Sequence, residues 1–383
     1  MRRSESRILT THAGSLPRAP ELLKLLAAQS RGEAVDASAL AAAIESSTAR
    51  VIEAQLEAGV DVGNDGEQSR ESFVTYVRGR LAGFGGSTPR KPMRDLVAYP
   101  GYLEHQLGRI SRPSVSLLHT PAATSAVSYQ DRAPLDADLA RFERLAAGRF
   151  SATFWTVPSP GIVCTAMGNQ HYAKLFDYVD AVAAALRVEY EAAVAAGHVL
   201  QIDAPDLAME RHTLFADAPL ADFLAFARHV IAALNRALSN VPRERVRLHV
   251  CWGNYEGPHT LDVPFEDLAE IFYGARAGAL VLSMANPRHA HEHKVLRRLP
   301  PPADWSLIAG VIDTTTNYVE HPEVVADRLE LAASALGDPR RVLAGTDCGF
   351  DTSAGLGQVA DAIVWEKLRS LREGAALATK RLL

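Results

Sequence analysis

Short apolar, β-branched runs alternate along the chain with longer segments in which apolar residues recur every three or four positions. The first pattern predicts buried strands and the second amphipathic helices, because side chains repeat every two residues in a strand and every 3.6 in a helix. The strand-like runs are Ile8-Leu9-Thr10-Thr11, Val60-Asp61-Val62-Gly63, 150–157, Val199-Leu200-Gln201-Ile202-Asp203, 246–251, 279–284, 306–313 and 342–345. Between them the spacing predicts helices over 21–30, 37–58, 69–81, 136–148, 175–196, 220–238, 265–276 and 322–336, with a closing helix over 359–378.

The alternation lapses once. Residues 83–113 are rich in Gly, Pro and Arg, and 114–128 read as extended. No linker composition brackets the stretch, so 83–135 reads as an excursion between the second and third strands, not a separate domain. The basic residues in and beside it (Arg78, Arg80, Arg90, Lys91, Arg94) read as a solvated face, with phosphate binding as the alternative. Eight strands, each followed by helix, predict an α/β fold: a single (β/α)8 TIM barrel over residues 1–383. An open doubly wound sheet is the competing architecture. No Gly-rich nucleotide-binding turn follows the first strand, which weighs against it.

Composition narrows the function. A net charge of -5 and a pI near 6.2 argue against nucleic acid as partner, since that binding favours a basic face. No run approaches the length of a membrane span. The N-terminal Met1-Arg2-Arg3-Ser4-Glu5-Ser6-Arg7 is charged, and no apolar signal core follows it. Three cysteines in 383 residues do not make a disulfide framework. A reducing cytoplasm is the expected compartment.

In such a barrel the active site lies at the C-terminal ends of the strands. Those ends carry His12 and Ser15, Asp65 and Glu67, Asp203 and Asp206, His249 and Cys251, Ser283 and Asn286, Asp313, Asp347 and Cys348. His249 and Cys251 are two apart on one strand and point the same way. With Cys348 from the eighth run they form a ligand set suited to zinc, three ligands leaving a fourth position free as in catalytic sites. Free cysteines are also common core residues. Delivery of both soft donors to one mouth favours the metal.

Glu67 and Asp203 sit in Gly- or Pro-containing turns that face a common cavity. There they suit a substrate ammonium or serve equally as structural partners for Arg18, Arg70 or Arg211. Asp313 and Asp347 read as caps of the helices that follow. In Arg288-His289-Ala290-His291-Glu292-His293, two histidines two apart would diverge on a helix, so the run reads as a solvated or hydrogen-bonded cluster. Cys164 reads as packed.

The segments Ile8-Leu9-Thr10-Thr11-His12-Ala13-Gly14-Ser15-Leu16-Pro17-Arg18, Asp65-Gly66-Glu67, Gln201-Ile202-Asp203, His249-Val250-Cys251 and Gly345-Thr346-Asp347-Cys348-Gly349 resemble the catalytic C-terminal barrel of cobalamin-independent methionine synthases. They also resemble the related epoxyalkane:coenzyme M transferases. The resemblance runs from Ile8 into the last helix, in family order, and suggests a single-barrel branch.

It implies a zinc ion held by His249, Cys251 and Cys348. It also implies an amino-thiol pocket formed by Ser15, Glu67 and Asp203, with Glu67 and Asp203 as the catalytic carboxylates. A thiol on zinc loses its proton near neutral pH and becomes a nucleophile toward an electrophilic carbon.

Two positions depart from the family. A metal-proximal glutamate is replaced by Ser283, and a catalytic histidine falls where this chain has Thr314-Thr315-Thr316. Thiol activation survives these changes, whereas methyl transfer from folate loses its general acid.

The expected activity is zinc-dependent methyl or alkyl transfer to a small homocysteine-like thiol, as in methionine biosynthesis. The alternatives are a thiol–epoxide transferase or C–S lyase, a non-catalytic metal- or small-molecule-binding barrel, and a metal-free decarboxylase-like barrel. The expected partners are a small-molecule thiol and an alkyl or methyl donor, with a donor-carrying protein as a further option. Neither nucleic acid nor membrane is expected, and homo-oligomerisation stays open.

Overall fold

The computed structural model of the chain describes residues 3–108 and 113–383. Met1 and Arg2 of the charged N-terminal stretch, and residues 109–112 of the excursion, lie outside the described residues.

In chain order the elements are α1 (Pro20–Ser30), α2 (Ala37–Ala58), β1 (Val62–Gly63), β2 (Leu81–Pro89), α3 (Arg94–Ala98), α4 (Pro100–Gly108), β3 (His119–Tyr129), α5 (Ala133–Ala146), β4 (Ala152–Pro158), α6 (Pro160–Ala166) and α7 (Leu175–Ala195). They continue with β5 (Val199–Asp203), α8 (Leu220–Ala237), β6 (Val246–Val250), α9 (Phe265–Tyr273), β7 (Ala279–Ser283), α10 (His293–Arg298), β8 (Ser306–Ile312), α11 (Pro322–Leu336), β9 (Val342–Thr346) and α12 (Asp361–Leu382).

Seven parallel strands pair in the order β1-β4-β5-β6-β7-β8-β9. The first apolar run joins the two edges of this curled sheet. Thr10 bridges Ala344 of β9, and Thr11 bridges Val62 of β1, both in parallel. The Thr11 N–H donates to Ala344 O at 2.8 Å and the Val62 N–H to Thr10 O at 3.0 Å. The predicted (β/α)8 architecture is therefore present, its first strand reduced to a pair of bridges.

Strands β5 to β9 are buried along their whole lengths. That is what a parallel sheet covered on both faces requires, and it explains why the sequence shows continuous apolar runs there instead of alternation. Leu200, Ile202, Leu248, Leu280 and Leu307 pack outward into one large core with the helices, including Val182 and Leu186 of α7 and Phe226 and Val230 of α8. Leu9, Ala279, Val281, Ile308 and Leu343 form a separate inner cluster.

The barrel interior also holds Arg247. Its guanidinium lies 3.6 Å from the centre of the Phe154 ring and donates to Gln201 Oε1 and His12 O at 2.7 and 2.9 Å. Around the ring, α2 begins at Asp36, whose carboxylate accepts from the Ser38 and Ala39 N–H groups. It ends at Gly59 in the left-handed region (φ 81°), where a side chain would be strained.

In the β1–β4 connection one sequence expectation fails and another holds only in part. The helix expected over 69–81 is a short 3-10 turn, Thr75–Gly79, running directly into β2. Phe73, Val77 and Leu81 mimic a helical stripe, but Ser72 Oγ accepts from the Thr75 N–H at 2.8 Å and turns the chain. The basic residues form a solvated face only in part: Lys91 and Arg94 are exposed, whereas Arg80 and Arg90 turn to carboxylates. Arg80 is buried, its guanidinium 2.7 Å from Asp138 and 3.1 Å from Glu189, and Arg90 lies 3.5 Å from buried Glu210. The excursion is an antiparallel pair, β2 with β3, whose connection carries α3 and α4. Among the described residues no helix is long and apolar enough to cross a membrane.

Candidate metal centre

Strand β6 carries His249 inward, and Cys251 follows one residue past its end. Strand β9 ends at Thr346, so Asp347 and Cys348 open the next turn. One ligand atom each from His249, Cys251 and Cys348 lie within 4.8 Å of one another, and all three residues are buried. Cys164 is packed in the core apart from them.

Asp203, at the end of β5, places Oδ1 2.8 Å from His249 Nδ1 and accepts a second bond from Gln201 Nε2 at 2.6 Å. A carboxylate only accepts, so Nδ1 carries the hydrogen and Nε2 offers its lone pair. This is the carboxylate–histidine pairing that metal sites use. Burial opposes charge on His249, but the hydrogen bond and negative charge of Asp203 raise its pKa overall. The neighbouring Cys348 thiol lowers the pKa of Cys251, and the same coupling raises Cys348. An imidazole nitrogen and two sulfurs, one of them readily deprotonated, fit zinc by donor chemistry.

Asp347 does not cap a helix as its sequence position suggests. Its carboxylate accepts from the N–H groups of Met284, Ala285 and Asn286 at 2.8, 2.9 and 2.7 Å, pinning the loop after β7 against the turn that holds Cys348. Asp313 likewise accepts from the Thr315 and Thr316 N–H groups, both at 2.8 Å, in a turn and not a helix. Ser283 donates its hydroxyl to Asp347 O at 2.9 Å. Cys251 and Cys348 line a small cleft together with Ser283, Asp313, Thr314 and Thr315. The two positions that depart from the family pattern thus face the same space as the sulfurs.

Glu67 occupies the left-handed region (φ 58°), a strained conformation for a non-glycine residue. Its N–H is held by Asp65 Oδ1 at 3.0 Å and its carbonyl by Arg18 at 2.8 Å. Gly14 makes the placement feasible, since a Cβ there would stand 2.5 Å from Glu67 Oε1. Oε1 accepts from Thr156 Oγ1 at 2.9 Å, while Oε2 is buried with no partner among the described residues. Burial, above all, and the charge of Asp203 raise the carboxyl to about 7.

Ser15 is buried against the Cys348 turn, and its hydroxyl accepts from the Asp351 N–H at 3.3 Å. Of the arginines offered as carboxylate partners, Arg18 pairs with Asp351 at 2.8 Å, Arg70 donates to Thr156, and Arg211 to Phe215 O. None forms an ion pair with Glu67 or Asp203 among the described residues.

Sequence reasoning passed over Trp252, Asn254 and His259, which also line the cleft. His289, from the run read as a solvated or hydrogen-bonded cluster, lines it too and is hydrogen-bonded to Asp262. Thr314 Oγ1 donates to Asn254 Oδ1 at 2.8 Å, and Trp252 stacks on His289 with ring centres 3.7 Å apart. The available signal was the loop Tyr255-Glu256-Gly257-Pro258-His259-Thr260-Leu261-Asp262, a Gly-Pro turn that carries both an imidazole and a carboxylate.

By fold and donor set this is a (β/α)8 barrel with a soft-donor cluster at the mouth where such barrels carry their chemistry. A family model described as "Cobalamin-independent synthase, Catalytic domain" matches residues 8–97. The methionine synthase of Saccharolobus solfataricus is 24% identical over 375 residues, spanning 97% of this chain and 95% of that protein. That of Sulfurisphaera tokodaii is 23% identical over 375 residues, spanning 97% and 93%. The chain is thus similar to the catalytic domain of cobalamin-independent synthases over residues 8–97 and to methionine synthases over nearly its whole length. Its fold matches that of a B12-independent methionine synthase from Shewanella sp. W3-18-1 in complex with selenomethionine, with a TM-score of 0.75 and 21% identity over 98% of both chains.

Proposed function

We propose that this chain is a zinc-dependent transferase that prepares a small amino-thiol, homocysteine or a close relative, for methyl or alkyl transfer. The observation that carries the reading is the convergence of His249, Cys251 and Cys348 at the ends of two barrel strands. Zinc bound there supplies a Lewis acid that lowers the pKa of a substrate thiol in the open fourth position.

The chain's own residues do the rest. Asp203 keeps the hydrogen on His249 Nδ1 and turns Nε2 toward the sulfurs. Glu67 presents an unpartnered, buried Oε2, an acceptor suited to a substrate ammonium, and Ser15 adds a hydroxyl beside the Cys348 turn. The Shewanella enzyme's bound selenomethionine is the kind of amino acid that these acceptors suit.

In this proposal the whole chain works as one barrel, with residues 83–135 as an excursion, in a reducing cytoplasm. A methyl or alkyl donor, free or delivered by a second protein, enters through the cleft. Ser283 and Thr315 line that cleft and favour a second reading within the same mechanism. An epoxide, or the reverse C–S cleavage, demands less of the missing acid than a folate does.

Metal analysis joined to turnover tests the proposal. One tightly held zinc per chain is expected at the cysteine centre, lost in Cys251→Ser and Cys348→Ser, together with thiol-dependent consumption of an alkyl donor. Serine offers a harder, mostly protonated oxygen in place of a thiolate. Full zinc retention in both variants would refute the centre. Zinc binding without turnover of any donor would leave a binding barrel.

A further inference from the structure

A second cluster of imidazoles and carboxylates lies in the wall of the same cleft. His259, Asp262 and His289 bring ligand atoms within 4.8 Å of one another, and Asp95, His212 and Asp262 do likewise. Asp262 belongs to both groups. Its Oδ2 lies 2.8 Å from His259 Nδ1 and 2.8 Å from His289 Nε2, and its Oδ1 lies 3.4 Å from His212 Nδ1.

The hydrogen bonding does not balance for neutral side chains. A neutral imidazole has one N–H and one lone pair. His259 turns both nitrogens toward acceptors, Asp262 Oδ2 and the Tyr255 carbonyl oxygen at 3.1 Å. His289 directs Nε2 at the same Asp262 oxygen, and its Nδ1, 3.7 Å from Glu292 Oε1, has no hydrogen-bond partner among the described residues. One nitrogen of a neutral His259 therefore faces an oxygen lone pair to lone pair. His212 is 2% exposed, and neither of its ring nitrogens, nor Asp262 Oδ1, has a hydrogen-bond partner among the described residues. Buried polar atoms rarely go unpartnered. With neutral rings the cluster sets unpartnered nitrogens and a carboxylate oxygen around one point.

We infer that His212, His259, His289 and Asp262 form a second cation site, an N3O set for a first-row divalent transition metal. A cation at the centre resolves each conflict. His259 Nδ1 and His289 Nε2 become ligands, and their opposite nitrogens keep N–H groups directed at the Tyr255 carbonyl and the Glu292 carboxylate. Metal-bound histidines characteristically have such outer partners.

The spacing also suits an ion. Ligands at about 2.0–2.2 Å from a tetrahedral centre stand about 3.3 Å apart; His259, His289 and Asp262 lie within 4.8 Å of one another, and His212 joins them through Asp262 at 3.4 Å. Imidazole-rich sets suit zinc, iron, nickel and copper, unlike the sulfur-rich set beside it. Asp95 steadies the loop from outside by accepting from Tyr255 Oη at 3.2 Å and Thr260 Oγ1 at 3.1 Å. Because His259 and His289 line the cleft with Cys251 and Cys348, the ion gives its wall a fixed positive charge.

The test is a titration of the chelator-stripped full chain with cobalt(II), followed by its absorption spectrum. Thiolate ligands give sulfur-to-cobalt charge-transfer bands, and an N3O site gives none, so the two sites report separately. The wild type is expected to bind two equivalents, one with and one without these bands. The Cys251→Ser/Cys348→Ser double variant should keep only the band-free equivalent. His212→Ala and Asp262→Asn should each keep only the thiolate one. Saturation of the wild type at one thiolate equivalent, as expected if the rings instead carry extra protons, would overturn the inference. So would a band-free equivalent that survives both His212→Ala and Asp262→Asn. Loss of the thiolate bands alone would count against the cysteine centre and leave the second site standing.

Discussion

In the proposed function the side chain that most constrains substrate choice is Glu67. Its backbone is held in a strained conformation, and one of its two carboxylate oxygens is spoken for by Thr156. The other oxygen is buried and without a partner among the described residues. Burial raises the carboxyl to about 7, so the empty site holds it largely neutral below that pH, whereas an ammonium needs the anion. Affinity for an amino-thiol should therefore climb as pH rises toward about 7 and level off above. Des-amino analogues should lack that climb. Glu67→Gln should abolish it and weaken amino-thiol binding by about 1.5–3 kcal/mol, the scale of a hydrogen bond to a charged group. Calorimetric titration across pH 5.5 to 8 with both ligand types checks this, and equal affinities for the two would remove Glu67 from the pocket.

At this scale the sequence was legible where chemistry is local. His249 and Cys251 share a strand face by simple alternation. It was illegible where a role depends on a distant partner. Asp347 serves the backbone of residues 284–286, and Arg80 serves Asp138 and Glu189. Nothing in the neighbouring residues encodes either pairing.

Among the elements, the long amphipathic helices and the fully buried strands were readable because their periodicity is strong. Strand β5, helix α2 and helix α11 fall on the ranges that the pattern gives. Short elements set by side-chain–backbone bonds were not readable. Helix α6 was missed. Ser159 starts it by accepting from the Ile162 N–H at 3.0 Å, and that hydroxyl in turn donates to Asp206 Oδ1 at 2.5 Å.

Asp206 tests this tie. Burial, the largest influence, raises its carboxyl from 3.8 to about 7. A raised carboxyl stabilises the fold below its unfolded value and loses that contribution as pH rises through the folded one. Between pH 4 and pH 8 the wild type should thus lose stability on the order of a few kcal/mol from this group. Asp206→Asn should show a flatter profile. Denaturant melts at several pH values measure the difference, and parallel wild-type and variant profiles would refute the assignment.

For the molecule as a whole, the eight-fold alternation announced the barrel, and its closing edge rests on only two bridges at Thr10 and Thr11. The excursion was legible as a lapse in rhythm but not as a strand pair, since its glycines and prolines hide any alternation. It is also bound to the site, because Asp95 of α3 accepts from Tyr255 and Thr260 in the loop beyond Cys251.

Donor choice belongs to this scale, where the cleft assembles from several loops. In the proposed function, Ser283 and Thr315 stand in this cleft where the resemblance would put a metal-proximal glutamate and a catalytic acid, so a leaving folate finds no acid at the second of those positions. General acid assistance is typically worth about a hundred- to ten-thousand-fold in rate. Methyltetrahydrofolate should therefore be a poor donor, and an epoxide, sulfonium or methylcobamide a much faster one, in parallel turnover assays with one thiol. Efficient folate-dependent methionine formation would show that another group supplies the proton.

The central claim is that a substrate thiol joins the metal held by His249, Cys251 and Cys348. X-ray absorption at the zinc edge, on protein made metal-free and reloaded with one equivalent, tests it directly, because sulfur lies farther from zinc (about 2.3 Å) than nitrogen or oxygen (about 2.0–2.2 Å). The account predicts two sulfur neighbours without substrate and three once homocysteine is added, with no third sulfur when homoserine replaces it. An unchanged sulfur count in the presence of saturating homocysteine would contradict it.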